Sequence, residues 1–205
     1  MKATILIKNL KAISRFAADG DIRYYLNGVK VESAPSETRL IATDGHILGC
    51  QRQTIGADEN QEKGDFIIPL DTVKTILRWK APSKVYQDIP VIFTTESASQ
   101  IRAQWHDNIV VFSPVEGKFP DYHRVIPSQL DQGQHLYSPD LIAKLASACN
   151  DINGKSKVMS YAFGFNGAGL ALINDNFIVV VMEIKGDILT SAAAADWARA
   201  PITTI

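Results

Sequence analysis

Few residues in this chain stand at spacings that could do chemistry, and the most tempting are Asp44 and His46 in Thr43-Asp44-Gly45-His46. A carboxylate beside an imidazole is the raw material of acid–base catalysis. Asp44-Gly45 also reads as a hairpin turn, which puts Asp44 in the turn itself, and no serine or cysteine is placed by the sequence to complete a nucleophilic triad. The chain therefore reads as non-catalytic. His46, His106, His123 and His135 are scattered without i,i+4 pairing, and Cys50 and Cys149 form no CxxC pair and no Cys/His ligand spacing. No metal site and no cofactor are expected. The two thiols read as small buried residues of a reducing compartment. Gly164, Gly167 and Gly169 lie between strands with no following helix to cradle a phosphate, so they read as a hairpin turn.

The second kind of chemistry is electrostatic. Lys11 and Arg15 stand four apart on a helical pattern, opposite Leu10 and Ile13, and so share one face. Lys74 and Arg78 repeat that spacing on a second helix, with Lys80 and Lys84 following, while a third helix offers only Lys144. Sparse positive charge on a helix face suits phosphates, which supply affinity without sequence information. Arg23-Tyr24-Tyr25 sets a charge beside two aromatic rings, a combination fitted to touching a phosphate or stacking on a base or sugar. The 205 residues carry a formal net charge of -1, so any basic surface is local and not a property of the whole chain.

These residues are positioned by a repeating order of strand, helix and several strands. A strand at Thr4–Ile7 leads to a helix expected from an Asn9 cap to about Ala18, then strands at Tyr24–Glu32, Thr38–Thr43 and His46–Thr54. The pattern restarts with a strand at Phe66–Pro69, a helix capped by Asp71 and stopped by Pro82, and strands at Val91–Thr95, Gln100–His106 and Ile109–Pro114. It restarts again with a strand at His135–Tyr137 and a helix from Ser138-Pro139, where proline suits the first helical position. Strands follow at Val158–Phe165, Gly169–Asn174 and Phe177–Ile184. Ile188-Leu189 begins a fragment of a fourth unit, and Ser191–Ala200 reads as an alanine-rich helix with Trp197. Helices separated by hairpin-linked strands argue for an α+β fold with antiparallel sheets. The longest apolar run, Phe177–Met182, is far too short to span a bilayer, and the start lacks the long apolar stretch of a signal peptide. The expectation is a soluble, cytoplasmic protein with no membrane partner.

Two segments carry more information than the pattern. One is Arg23-Tyr24-Tyr25-Leu26-Asn27-Gly28 followed by Ala42-Thr43-Asp44-Gly45-His46. The other is Glu116-Gly117-Lys118-Phe119-Pro120-Asp121-Tyr122, continuing to Arg124-Val125-Ile126-Pro127. In this order and spacing they resemble the middle domain of the bacterial DNA sliding clamp, the beta subunit of DNA polymerase III. The resemblance covers residues 1–127. Residues 128–205 are similar to the opening of the clamp's final domain by pattern only, cut short, and the family's first domain has no counterpart.

The resemblance implies a DNA-clamp fold of repeated β-α-β-β-β units, with antiparallel sheets outside and helices on the inner face, in two domains, 1–127 and 128–205. It implies a non-catalytic processivity factor that tethers replication proteins to DNA by a ring or partial ring. The alternative is a clamp-derived regulator, from a phage or mobile element, that binds replication proteins without encircling DNA. The implied partners are double-stranded DNA read without sequence preference, peptides of DNA polymerase or the clamp loader, and further copies of the chain. DNA contact falls to Lys11, Arg15, Arg23, Tyr24, Tyr25, Lys74 and Arg78. A partner-peptide groove falls to Leu26, Thr43, Gly45, His46, Ile47, Leu48 and Pro127. Ile47 stands where the family usually has a basic residue, which makes the groove more apolar. In the family the C-terminal tail completes the groove, and Ala200-Pro201-Ile202-Thr203-Thr204-Ile205 echoes it faintly. Phe119 and Tyr122 are expected to anchor the linker, with Pro120 and Pro127 holding it extended.

Overall fold

The computed structural model describes residues 1–54, 63–80, 88–131, 135–154, 160–164 and 167–186. Three units follow one another, each a strand, a helix and three strands. The first has β1 (Lys2–Ile5), α1 (Ile7–Ser14), β2 (Gly28–Ala34), β3 (Glu37–Thr43) and β4 (Ile47–Gln53). The second has β5 (Gly64–Pro69), α2 (Leu70–Ile76), β6 (Val91–Ser97), β7 (Gln100–Trp105) and β8 (Asn108–Phe112). The third has β9 (Leu130–Asp131), α3 (Pro139–Asn153), β10 (Ser160–Gly164), β11 (Ala168–Asn174) and β12 (Phe177–Met182).

Strand pairing crosses the units. β1 pairs with β6, from Lys2↔Thr94 to Ile5↔Val91, while β5 pairs with β2, from Gly28↔Pro69 to Ser33↔Gly64. Each of the first two units lends its leading strand to the other's sheet, so neither opens without disturbing its neighbour. β12 then pairs antiparallel with β4, from Phe177↔Gln51 to Val181↔Ile47. The result is a four-stranded sheet, order β1-β6-β7-β8, and an eight-stranded sheet, order β5-β2-β3-β4-β12-β11-β10-β9.

The helices cover these sheets. α1 packs on β2, β3 and β4 and touches both α2 and α3. Its apolar positions Leu10 and Ile13, with Phe16 just beyond, are fully buried. Phe16 meets Phe177 of β12 edge-on, with centroids 6.1 Å apart, so the core runs without a break from the first unit into the third. Gly49 of β4 makes that contact possible. A Cβ there would lie 2.4 Å from the Phe16 ring, and a buried ring has nowhere to move.

Several local expectations give way to longer-range contacts. Asn9 does not cap α1. The cap position is Leu6, and Asn9 is buried inside the helix with its Nδ2 donating to Gln53 Oε1 at 2.7 Å. Gln53 ties the start of α1 to β4 and β1: Oε1 also accepts from the Leu6 N–H at 3.1 Å, and Nε2 donates to the Thr4 carbonyl at 3.0 Å. Asp71 is likewise in the first turn of α2 and caps nothing; Pro69 holds the cap position. α2 stops at Ile76, short of Pro82, as its last turn tightens through Arg78 N–H to Thr75 and Trp79 N–H to Ile76.

Tyr24–Leu26 is a 3-10 turn, and the strand begins only at Gly28. Asn27 is the cause, because its side chain accepts from the Asp21 N–H and donates to the Asp21 carbonyl, closing a loop over residues 21–27. His135–Tyr137 belongs to no strand; β9 at Leu130–Asp131 takes the place beside β10. Ser138 does hold the cap position of α3, with proline at its start. Lys84, Ile188-Leu189, the helix expected at 191–200 and the tail to Ile205 lie outside the described residues.

Gln53 is thus the polar hinge pin between β4 and α1. Gln53→Leu leaves the buried Asn9 amide and the part-buried Leu6 N–H without their acceptor, and should cost about 2–4 kcal/mol, read as a lower urea midpoint at unchanged slope.

Candidate functional site

A cleft of about 230 Å³ opens where the first unit meets the third. Leu26, Thr43, Gly45, His46, Ile47 and Leu48 all line it, because the 3-10 turn, the β3–β4 hairpin and the start of β4 converge there. Pro127 does not. The 3-10 turn Tyr122–Val125 presents Tyr122 and Val125 to the cleft instead, together with Pro120 and Asp121. Val180 and Met182 of β12 complete the lining. Alternation on β12 places those two on one face, but only the pairing with β4 tells which face meets the cleft. Arg23, read from sequence as a DNA contact, stands at the rim of the cleft.

The turn at the cleft mouth is held by charge. Asp44 Oδ1 accepts from the backbone N–H groups of His46 at 2.8 Å and Ile47 at 3.0 Å. Its Oδ2 pairs with Lys144 Nζ of α3 at 2.7 Å. Thr43 Oγ1 accepts from the Gly45 N–H, and Gly45 itself has φ 94°, which favours glycine. Burial would push the Asp44 carboxyl up, but Lys144 and the two N–H groups outweigh it and leave the pKa below its ordinary 3.8. Asp44 therefore engages the backbone of His46, not its ring, and is spent on the turn and on α3. Arg23 pairs with Asp21 at 2.6 Å and donates to the Asp44 carbonyl at 3.2 Å. The hydrogen bond from Arg23 lowers the half-buried Asp21 carboxyl to about 2.

Tyr24 and Tyr25 meet edge-on at 5.7 Å, and Gly117 of the linker, at φ 123°, turns against the Tyr24 ring and the Tyr25 Cβ. The two aromatics are linker contacts, although Tyr24 keeps 57% of its surface exposed. Phe119 and Tyr122 are buried in the smaller core cluster beside Leu26, Leu48 and Val180. The Tyr122 hydroxyl donates to Glu32 at 2.9 Å, and burial first, with Glu32 beside it, pushes its pKa up to about 12.

The helix cations are drawn together less simply than their spacing implies. Lys8, Lys11 and Arg15 share one face of α1, but Lys11 and Arg15 both pair with Asp151 of α3, Lys11 at 2.9 Å. Asp151 is only 9% exposed in its side chain. Burial pushes it up, and the two cations outweigh that, leaving it below its ordinary 3.8. Lys74 pairs with Asp19 at 3.1 Å and Asp71 at 3.6 Å. Arg78 lies past the end of α2, so the i,i+4 partnership with Lys74 is not formed on the helix. Among the described residues Arg78 and Lys80 are exposed and make no ion pair. No group of three or more His, Cys, Asp or Glu among the described residues could hold a metal ion. No helix among them is long and apolar enough to cross a membrane. Cys50 and Cys149 are free, and burial pushes the Cys50 thiol up to about 11.

The sequence profile described as "DNA polymerase III beta subunit, central domain" matches residues 1–121. The chain belongs to this family. The beta sliding clamp of Escherichia coli K12 is 35% identical over 127 residues, 62% of this chain and 33% of that protein. The beta sliding clamp of Vibrio cholerae is 34% identical over 111 residues, 54% of this chain and 28% of that protein. The chain thus spans about a third of the length of these clamp relatives. The DNA polymerase III beta subunit of Thermotoga maritima superposes with a TM-score of 0.72 over 91% of this chain and 66% of its own, at 16% identity. That likeness establishes the clamp fold, repeated units of antiparallel sheet and helix, well beyond the residues matched by sequence.

Two of the three depressed carboxylates, Asp44 and Asp151, lie between the first and third units. A folded pKa below the unfolded one gives stability that is complete above the unfolded value and is lost as pH falls through the folded one. The melting temperature should therefore fall as pH drops below about 4. Asp151→Asn should flatten that fall in a thermal scan across acid pH; an identical profile for the variant would contradict the pairing.

Proposed function

We propose that the chain works as a non-catalytic processivity factor of the sliding-clamp kind, acting in the cytoplasm and tethering replication proteins to double-stranded DNA. The cleft at the unit junction carries the reading: an apolar floor of Leu26, Leu48 and Val180, a rim with Arg23, His46 and Asp121, and room for one or two large apolar side chains. Such a site fits a short peptide anchored by its apolar residues, here one from a DNA polymerase or clamp loader. Residues 1–127 act as a clamp domain and 128–205 as a second, clamp-like one, and copies of the chain assemble around or beside the duplex. The two relatives matched by sequence are called beta sliding clamps, and nothing favours the regulator reading over this one.

In this proposal the helix layer faces DNA, but most of its charge is already engaged. Lys11, Arg15 and Lys74 serve mainly as links between elements, and Arg23, Tyr24 and Tyr25 serve the cleft and linker. Arg78 and Lys80 remain for phosphates. Weak, sequence-independent contact of this kind suits a protein that slides.

Two measurements test the proposal. Met182→Asp, a half-exposed change at the cleft, should weaken binding of a labelled peptide with two adjacent apolar residues by at least tenfold, by fluorescence anisotropy. Ile22→Asp, at a fully exposed position that does not line the cleft, should leave it unchanged. With a short duplex, Arg78→Ala should reduce the slope of log affinity against log salt by about 1, and Lys11→Ala by much less. Equal effects of the two would contradict the division of roles.

A further inference from the structure

Arg39 and Arg52 stand directly opposite one another in the β3–β4 pair. Gly49 of β4 meets Phe16 of α1, so by alternation Leu48, Cys50 and Arg52 face away from the helix layer. Like charges at opposed positions of a sheet repel each other. One of the two is answered, since Glu37 pairs with Arg39 at 2.6 Å. Among the described residues no carboxylate pairs with Arg52. Its Nε donates to Asn176 Oδ1 at 2.7 Å and its Nη2 to the Asp175 carbonyl at 3.4 Å. Both bonds hold the guanidinium in place without neutralising it. The Asp175 carboxylate is exposed and makes no ion pair among the described residues.

Both arginines line one hollow of about 350 Å³. Cys50 and Ile178 give it apolar surface, and Tyr122 and Ile126 of the linker wall it. Tyr122 also lines the cleft. Leu48 and Val180, in the cleft, are paired across the β4–β12 seam. Cys50 and Ile178, in the hollow, are the next pair on the same face, two residues farther along each strand. Cleft and hollow are therefore successive compartments on one seam. Arg52 lies four residues beyond Leu48, about 13 Å along an extended strand.

We infer that the hollow is a second compartment of the partner-peptide site, and that it takes an acidic side chain of the same peptide between Arg39 and Arg52. A guanidinium fork accepts a carboxylate through two parallel hydrogen bonds, and the incoming acid supplies the counter-charge that β3 and β4 lack. An extended peptide covers the distance from Leu48 to Arg52 in about four residues, which sets the spacing between its apolar anchors and its acid. The inference rests on the peptide reading of the cleft and adds a rule of selection to it. Apolar anchors give affinity, and the acid at that spacing decides which anchored peptides are preferred.

Three labelled peptides test it by fluorescence anisotropy on the full chain, all with the same two adjacent apolar anchors. One carries an Asp-Glu pair about four residues before the anchors, one carries it about four residues after them, and one has Asn-Gln at both places. One of the acidic peptides should bind roughly fivefold tighter than the neutral one at about 50 mM salt, with the gap closing near about 0.5 M. Arg52→Gln should bring that peptide down to the affinity of the neutral one. Arg52→Glu should reverse the preference, towards a peptide with Lys-Lys in the same place. Both variants change an exposed residue, and their melting temperatures check the fold. No acidic preference in the unmodified chain, or one that survives in both variants, would overturn the inference, while binding of the neutral peptide would leave the cleft reading standing. Failure of every peptide to bind would sink both. If Arg52→Gln lowers the salt slope of duplex binding as much as Arg78→Ala does, the arginine pair serves phosphates and the inference falls.

Discussion

The antiparallel pairing of β4 with β12 is the constraint on which the rest depends. It joins strands more than a hundred residues apart, turns two short sheets into one, and brings Phe177 onto Phe16. Everything of functional interest follows from that seam. Val180 and Met182 reach the cleft only because β12 runs beside Leu48 and Ile47. Lys144 reaches Asp44, and Asp151 reaches Lys11 and Arg15, only because the seam holds α3 against α1.

Charge on the helix layer is consequently a structural resource first. A carboxylate as enclosed as Asp151 needs its cations, since an unpaired buried charge is costly. Lys144 performs the same service for Asp44, whose other oxygen organises the turn at the cleft mouth. The cleft turn and the helix layer are thereby linked through one residue. In the proposed function, a phosphate approaching Lys11 or Arg15 would have to compete with Asp151, so these two cations would hold DNA only weakly. The exposed pairs of Lys74 compete less, because surface ion pairs contribute little.

Much of this was legible in the sequence where the deciding contacts are local. The Asp44-Gly45 turn, the Ser138-Pro139 helix start, the three-unit order and six cleft residues follow from turn chemistry, capping and a family motif. What was not legible depends on partners far along the chain. Asn9 looks like a cap until Gln53 is placed beside it. Tyr24-Tyr25 looks like a strand until Asn27 closes on Asp21. Lys11 and Arg15 look free because Asp151 is one of many acidic residues, and only the packing of α3 selects it. The exchange of β1 and β5 between sheets leaves no local trace.

The cleft and the ion pairs behind it require the seam to be as firm as the core it joins. Hydrogen exchange at the amides of Leu48 and Val180, paired across it, measures that directly. They should open only with global unfolding, at the same free energy as Val31 and Leu40 in the β2–β3 pair. Exchange at Leu48 and Val180 through a distinctly cheaper opening, with Val31 and Leu40 still protected, would mean that the units separate in the native state and that the cleft between them is not a standing feature of the protein.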